Sequence, residues 1–119
     1  MATRKAGQGS KWIRKSTRLA IYMRDGMACI YCQSAVEDGE RLTLDHVRPC
    51  AKGGQNGTEN LVTCCHRCNS SRKDRSLRSW AEVVSTYTGA ESAADVLARV
   101  RRHVRRTLPR AAALEALRA

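Results

Sequence analysis

Apolar residues recur along this chain with two periods, and the switches between them outline its elements. In TRLAIYMRDG, residues 17–26, Leu19, Ala20, Tyr22 and Met23 supply a helical stripe, with Ser16 or Thr17 as N-cap and Gly26 as the stop. In LTLDHV, residues 42–47, Leu42 and Leu44 alternate with polar neighbours and predict a strand. Pro49 ends that strand, because proline has no N–H for a ladder. NLVT, residues 60–63, fits its antiparallel partner across a loop marked by the turn dipeptides Gly53-Gly54 and Asn56-Gly57. Helical spacing then returns. CHRCNSSRKDR, residues 65–75, predicts a helix, and Leu77, Trp80, Val83 and Val84 predict another over 77–87, broken at Thr88-Gly89. Leu97, Val100, Val104 and Leu108 predict a third over 92–107, closed by Pro109, while ALEALRA makes one last turn or frays. Residues 1–10 are polar and predict a disordered tail.

Composition narrows the class. The 119 residues suit one domain, yet they include no Phe and only Trp12, Tyr22, Tyr31, Trp80 and Tyr87 as aromatics. So modest a core gains from a structural metal. No apolar run approaches the ~20 residues of a membrane span. The start, MATRKAGQGSKWIRKS, has charge without an apolar stretch and does not read as a secretory signal. The expectation is a cytoplasmic protein in a reducing compartment, whose six cysteines are metal ligands rather than disulfides.

Charge adds a partner. The net charge of +11 is uneven: +6 over residues 1–28, +1 over 29–75 and +4 over 76–119. Basic flanks around a nearly neutral middle point to a polyanion, and nucleic acid leads. Lys11, Arg14 and Lys15 on one flank and Arg99, Arg102 and Arg106 on the other are the expected phosphate contacts. The second trio is spaced i, i+3, i+7 and shares a helix face, free for phosphates or merely solvated.

The cysteines carry the strongest signal. Cys29 and Cys32, then Cys65 and Cys68, form two CxxC pairs, the pattern of a structural Zn²⁺ site with four thiolates. Cys64 fits that spacing less well than Cys65. Cys50 and Cys64 read as ordinary small residues, and His66 as solvent-facing. The insert between the pairs holds Asp45-His46, Asn60 and, just beyond Cys68, Asn69. Asp and Asn are hard oxygen ligands suited to Mg²⁺, and a neutral His can take a proton from water near pH 7. Singly, a turn acceptor, a satisfied strand histidine and a helix cap explain them as well. Adjacent strand residues point to opposite faces, so Asp45 and His46 can serve one phosphate only if the strand bends or ends there.

CIYC, LDHVRPCAKGGQNGTENLV and CCHRCNSSRKDR together resemble the HNH endonucleases of the small, zinc-containing bacterial and phage kind, with the resemblance covering residues 12–75. It implies an α+β fold around a ββα-metal finger, and a division into a basic tail (1–10), a nuclease core (11–75) and a basic helical extension (76–119). It further implies Asp45 as ligand of a catalytic divalent cation, His46 as general base and Asn60 as the brace of the loop. Asn69 stands at the last motif position, where many members have His; the chain is an HNN variant, leaning to Mg²⁺ over softer metals. Metal-dependent cleavage of DNA to 5′-phosphate and 3′-hydroxyl ends follows from the resemblance. Arg72 and Lys73, beside Asn69, either grip flanking phosphates or form a solvated face. A non-catalytic zinc-knuckle binder and an RNA-binding zinc ribbon share the cysteines and basic arms. Asp45-His46 with Asn69 favours the nuclease, since a binder has no use for a base beside two hard ligands.

Overall fold

The computed structural model describes residues 12–119, so the expectations for the tail and for Lys11 lie outside the described residues. Its elements run α1 (Lys15–Arg24), β1 (Leu42–His46), β2 (Leu61–Cys65), α2 (His66–Arg72), α3 (Leu77–Thr88), α4 (Ala93–Val104) and α5 (Arg110–Arg118). The strands pair antiparallel from Leu42 opposite Cys65 to His46 opposite Leu61. A two-stranded ribbon is marginal alone. Here both faces are covered, and all five residues of β2 are buried.

Alternation along the strands sorts the two coverings. Leu44 and Leu61 pack with Ile21 of α1, flanked by Trp12, Ile13, Tyr22 and Leu108. Val62 and Cys64 point the other way and join Tyr31, Trp80, Val84, Val96 and Val100. A one-residue slip would put Asp45 where Leu44 is, so burial on both faces pins the register. The larger cluster crosses residue 75, so α3 and α4 share a core with the hairpin and the knuckles.

Several elements differ from expectation. α1 begins at Lys15 behind Arg14, without a side-chain cap, so neither Ser16 nor Thr17 caps it. Gly26 follows it with φ +79°, the left-handed stop that glycine adopts without strain. β2 runs to Cys65, and the first thiol of the second pair therefore sits on the strand. α4 is capped by Ser92, whose hydroxyl accepts from Asp95 N while Ser92 N donates to the Asp95 carboxylate, and it ends at Val104. The C-terminal segment is neither a single turn nor frayed. It forms a nine-residue helix against α1, with the small Ala113 buried at the contact.

Arg99 requires a correction. It does not belong to an exposed phosphate-facing stripe; it is 8% exposed and spent inside the fold. Its Nε donates to Ile30 O at 2.7 Å and its Nη2 to Tyr31 O at 2.9 Å, while the guanidinium pairs with Glu91. The knuckle carbonyls would be orphaned without it. Arg102 and Arg106 are exposed, and Arg106 lies past the end of α4.

Candidate active site and metal centre

The first knuckle is a tight turn in which Cys29 O accepts from Gln33 N at 2.9 Å and Cys29 N donates to Ser34 O at 2.8 Å. Gln33, at φ +65°, closes it. The second pair sits where β2 becomes α2: Cys65 caps the helix, its Sγ accepting from Cys68 N at 3.4 Å. These two turns bring Cys29, Cys32, Cys65 and Cys68 together with their sulfurs all within 4.8 Å of one another. Cys32 Sγ and Cys65 Sγ are 3.7 Å apart. A tetrahedral zinc with bonds of about 2.3 Å spaces its sulfurs by about 3.8 Å, so the quartet fits that ion.

The thiols share their protons unevenly. Hydrogen bonds from Cys29 and Cys68 hold Cys32 far below the ordinary thiol range. Cys29, donating to Cys32, is pushed up to about 12, and Cys65 and Cys68 rise through their bonds to Cys29. A divalent cation takes the thiolate form, so its binding would release the protons these thiols hold. Arg67 Nη2 lies 3.9 Å from Cys32 Sγ, and the Tyr87 hydroxyl 2.8 Å from Cys68 Sγ. Cys64 is buried outside the quartet and donates to Cys65 O, and His66 is exposed.

Asp45 and His46 occupy the last two positions of β1. The strand does not bend; it ends at His46, and the two side chains leave opposite faces. Asp45 Oδ2 accepts from Tyr31 Oη at 2.5 Å and from Arg72 Nη1 at 2.5 Å. Arg72 is therefore no phosphate grip. It is 1% exposed, and besides Asp45 it bonds Tyr31 Oη, His46 O, Val47 O and Arg75 O. Burial alone would depress its guanidinium, but the Tyr31 and Asp45 oxygens outweigh it and the net shift is upward. Burial, then the Asp45 charge, pushes the Tyr31 phenol well above its usual range, so it stands as a neutral donor.

On the other face, His46 Nε2 meets Asn56 Oδ1 at 2.8 Å, and the imidazole stacks on Trp12. A carboxamide oxygen only accepts, so in this contact Nε2 is the donor. Asn60 ties the intervening loop: its Oδ1 accepts from Arg48 N at 2.8 Å, and its Nδ2 donates to Arg48 O and Gln55 O. The loop folds so tightly that a Cβ on Gly54 would lie 1.7 Å from Arg48 O. Asn69, half-buried, sits one turn before Arg72 on α2, which packs on β1. No hydrogen bond joins Asn69 to Asp45 among the described residues.

The basic flanks meet through α1 and α5. Arg14, Ser16, Thr17, Arg110 and Leu114 line one shallow cleft of about 180 Å³. Arg14, Lys15, Lys73, Arg102 and Arg106 are exposed. Tyr31, Asn56 and Trp12 were missed by sequence reasoning. Tyr31 lies inside a motif noticed for its cysteines, and Asn56 in a loop noticed for its turn.

A strand pair and a following helix, strapped by four cysteines and presenting Asp-His and Asn, define a ββα-metal finger. Residues 29–80 match the family model described as HNH endonuclease. The CRISPR-associated endonuclease Cas9 of Corynebacterium diphtheriae is 36% identical over 69 residues, covering 57% of this chain and 6% of that protein. Cas9 of Actinomyces naeslundii is 36% identical over 66 residues, 55% of this chain and 6% of that protein. The chain thus spans about 6% of the length of these curated relatives. No solved structure matches it. Among the described residues, no helix is long and apolar enough to cross a membrane.

Proposed function

We propose that this chain is a metal-dependent endonuclease that hydrolyses DNA phosphodiester bonds in a reducing, intracellular setting. The observation that supports this best lies within the HNH span: Asp45 and His46 end β1, and Asn69 rides on the helix packed against it. Asp45 Oδ1 takes no hydrogen bond from a described residue, and it and the Asn69 carboxamide would supply hard oxygen ligands of the kind Mg²⁺ takes. A divalent cation bound there supplies Lewis-acid stabilisation of charge on the scissile phosphate and its leaving oxygen.

His46 is the general base. Asn56 Oδ1, 2.8 Å from Nε2, and the stacked Trp12 ring orient the imidazole that takes the proton of the attacking water. Because His46 is the strand's last residue, a phosphate at the strand's end is reached from both faces. Attack by that water leaves a 5′-phosphate and a 3′-hydroxyl. The four thiolates hold structural Zn²⁺, and Asn60 keeps the loop carrying Asn56 in place. Arg14 and Lys15, with Arg102, Arg106 and Lys73, contact flanking phosphates.

Zinc-loaded protein incubated with supercoiled plasmid tests this. Nicked or linear DNA should form with Mg²⁺ and vanish with a chelator or with His46→Ala. DNA binding without cleavage in any divalent metal would favour the non-catalytic zinc-knuckle binder instead.

A further inference from the structure

We propose that Tyr31 and Arg72 are positioning residues for Asp45, and that through Tyr31 the cysteine knuckle and the catalytic carboxylate form one mechanical unit. This rests on the reading of Asp45 as ligand of the catalytic cation. Two buried aspartate–arginine pairs among the described residues make the contrast. In the pair of Arg24 and Asp25, the arginine grips both oxygens, Nε to Oδ1 at 2.8 Å and Nη2 to Oδ2 at 3.1 Å. Thr63 N and His103 Nδ1 then use the same two oxygens again. That carboxylate is enclosed on every side, as a structural pair requires.

Asp45 is held differently. Both donors, Tyr31 Oη and Arg72 Nη1, converge on Oδ2, and Oδ1 takes no bond from a described residue. One-sided anchoring fixes the carboxylate plane while leaving an oxygen available. Arg72 also donates to His46 O at 2.7 Å and Val47 O at 2.6 Å, which fixes the peptides that follow Asp45.

Tyr31 is itself immobilised. It lies between Cys29 and Cys32, its carbonyl accepts from Arg99 at 2.9 Å, and its ring meets Trp80 edge-on at 5.7 Å. A phenol locked at backbone and ring delivers its hydroxyl to Asp45 with little freedom left to lose on metal binding. The ordering of the knuckle is thus passed to the carboxylate through one side chain, and α4, outside the HNH span, supports it through Arg99.

The test is an electron paramagnetic resonance titration of Mn²⁺ into zinc-loaded protein, read beside zinc content, melting and the Mg²⁺ dependence of cleavage. Asp45→Asn should abolish the Mn²⁺ site. Tyr31→Phe should keep its zinc and cooperative melt, bind Mn²⁺ about 5- to 10-fold more weakly, and need correspondingly more Mg²⁺ for half-maximal cleavage. Arg72→Lys retains charge beside Asp45 but loses the multipoint grip, and should weaken Mn²⁺ in the same way; it carries the test if Tyr31→Phe does not fold. Zinc-loaded Tyr31→Phe and Arg72→Lys binding Mn²⁺ as the parent does, while Asp45→Asn abolishes it, would overturn the positioning role alone. A Mn²⁺ site unchanged in Asp45→Asn, or none beyond the zinc, would remove the ligand assignment and the inference with it.

Discussion

The indole of Trp12 is stacked on the imidazole of His46, ring centroids 5.4 Å apart and planes 26° from parallel. The guanidinium of Arg18 lies 5.8 Å from the same indole centroid and donates to Tyr22 Oη at 3.1 Å. An N-terminal residue outside the HNH span therefore sets the tilt of the proposed base. Trp12→Ala should lower turnover on the order of 10-fold at saturating DNA, by releasing the ring rather than by removing chemistry. Trp12→Phe should recover most of it. Plasmid nicking, with zinc content as the check on folding, reads the difference.

Loss of the metal should unfold the core rather than merely silence it. Cys29 and Cys68 are buried in the same cluster as Trp80, Val84, Val96 and Val100. Replacing either by Ser, or stripping zinc with a strong chelator, should abolish the cooperative melt, since binding energy is folding energy in such sites. Zinc-free protein with an intact melt would contradict this.

His46→Ala should retain zinc and fold while losing about 10²–10⁴ in rate, the worth of a general base. Asp45→Ala is a harsher change than loss of the proposed ligand, because it strands Arg72, whose side chain is 1% exposed. It should cost about 3–5 kcal/mol of stability as well as activity. Asp45→Asn separates the two effects. Asn69→Ala should impair cleavage, and Asn69→Asp or Asn69→His should retain activity with an altered metal preference. Melting curves and metal-dependent cleavage rates distinguish these outcomes.

The arginines of the C-terminal part should divide by burial. Arg102→Gln with Arg106→Gln should weaken DNA binding and flatten the slope of log affinity against log salt by about two units. Arg99→Gln should leave that slope unchanged but cost about 2–3 kcal/mol of stability, because it frees two knuckle carbonyls and Glu91. Fluorescence anisotropy across a salt series, paired with denaturation, checks both.

His103 of α4 is tied to the core: its Nδ1 meets the buried Asp25 at 3.3 Å. Burial lowers its pKa, partly opposed by the Asp25 charge. The unfolded chain then protonates His103 first as pH falls through about 6.5, so this group's contribution to stability shrinks on the acid side. His103→Gln should flatten the stability profile between about pH 5 and 7, measured by denaturant melts at each pH, while leaving turnover nearly intact.

The chain by itself determined the parts that depend on local spacing. Two CxxC pairs specify their thiol quartet because two residues are what a knuckle turn accommodates, and the structure assembles those four cysteines without Cys64. Strand alternation marked the β1–β2 ribbon, and the motif resemblance marked Asp45, His46, Asn60 and Asn69. Tertiary structure alone decided which cations are spent inside. Arg72 and Arg102 are both helical arginines among polar neighbours, yet one meets Asp45 from 27 residues away and the other meets water. Arg99 finds its carbonyls 68 and 69 residues upstream. A long guanidinium side chain is buried wherever orphaned oxygens await it, and periodicity carries no record of oxygens supplied by a distant turn. The same holds for Tyr31, whose hydroxyl acquires a role only when the knuckle is folded against β1.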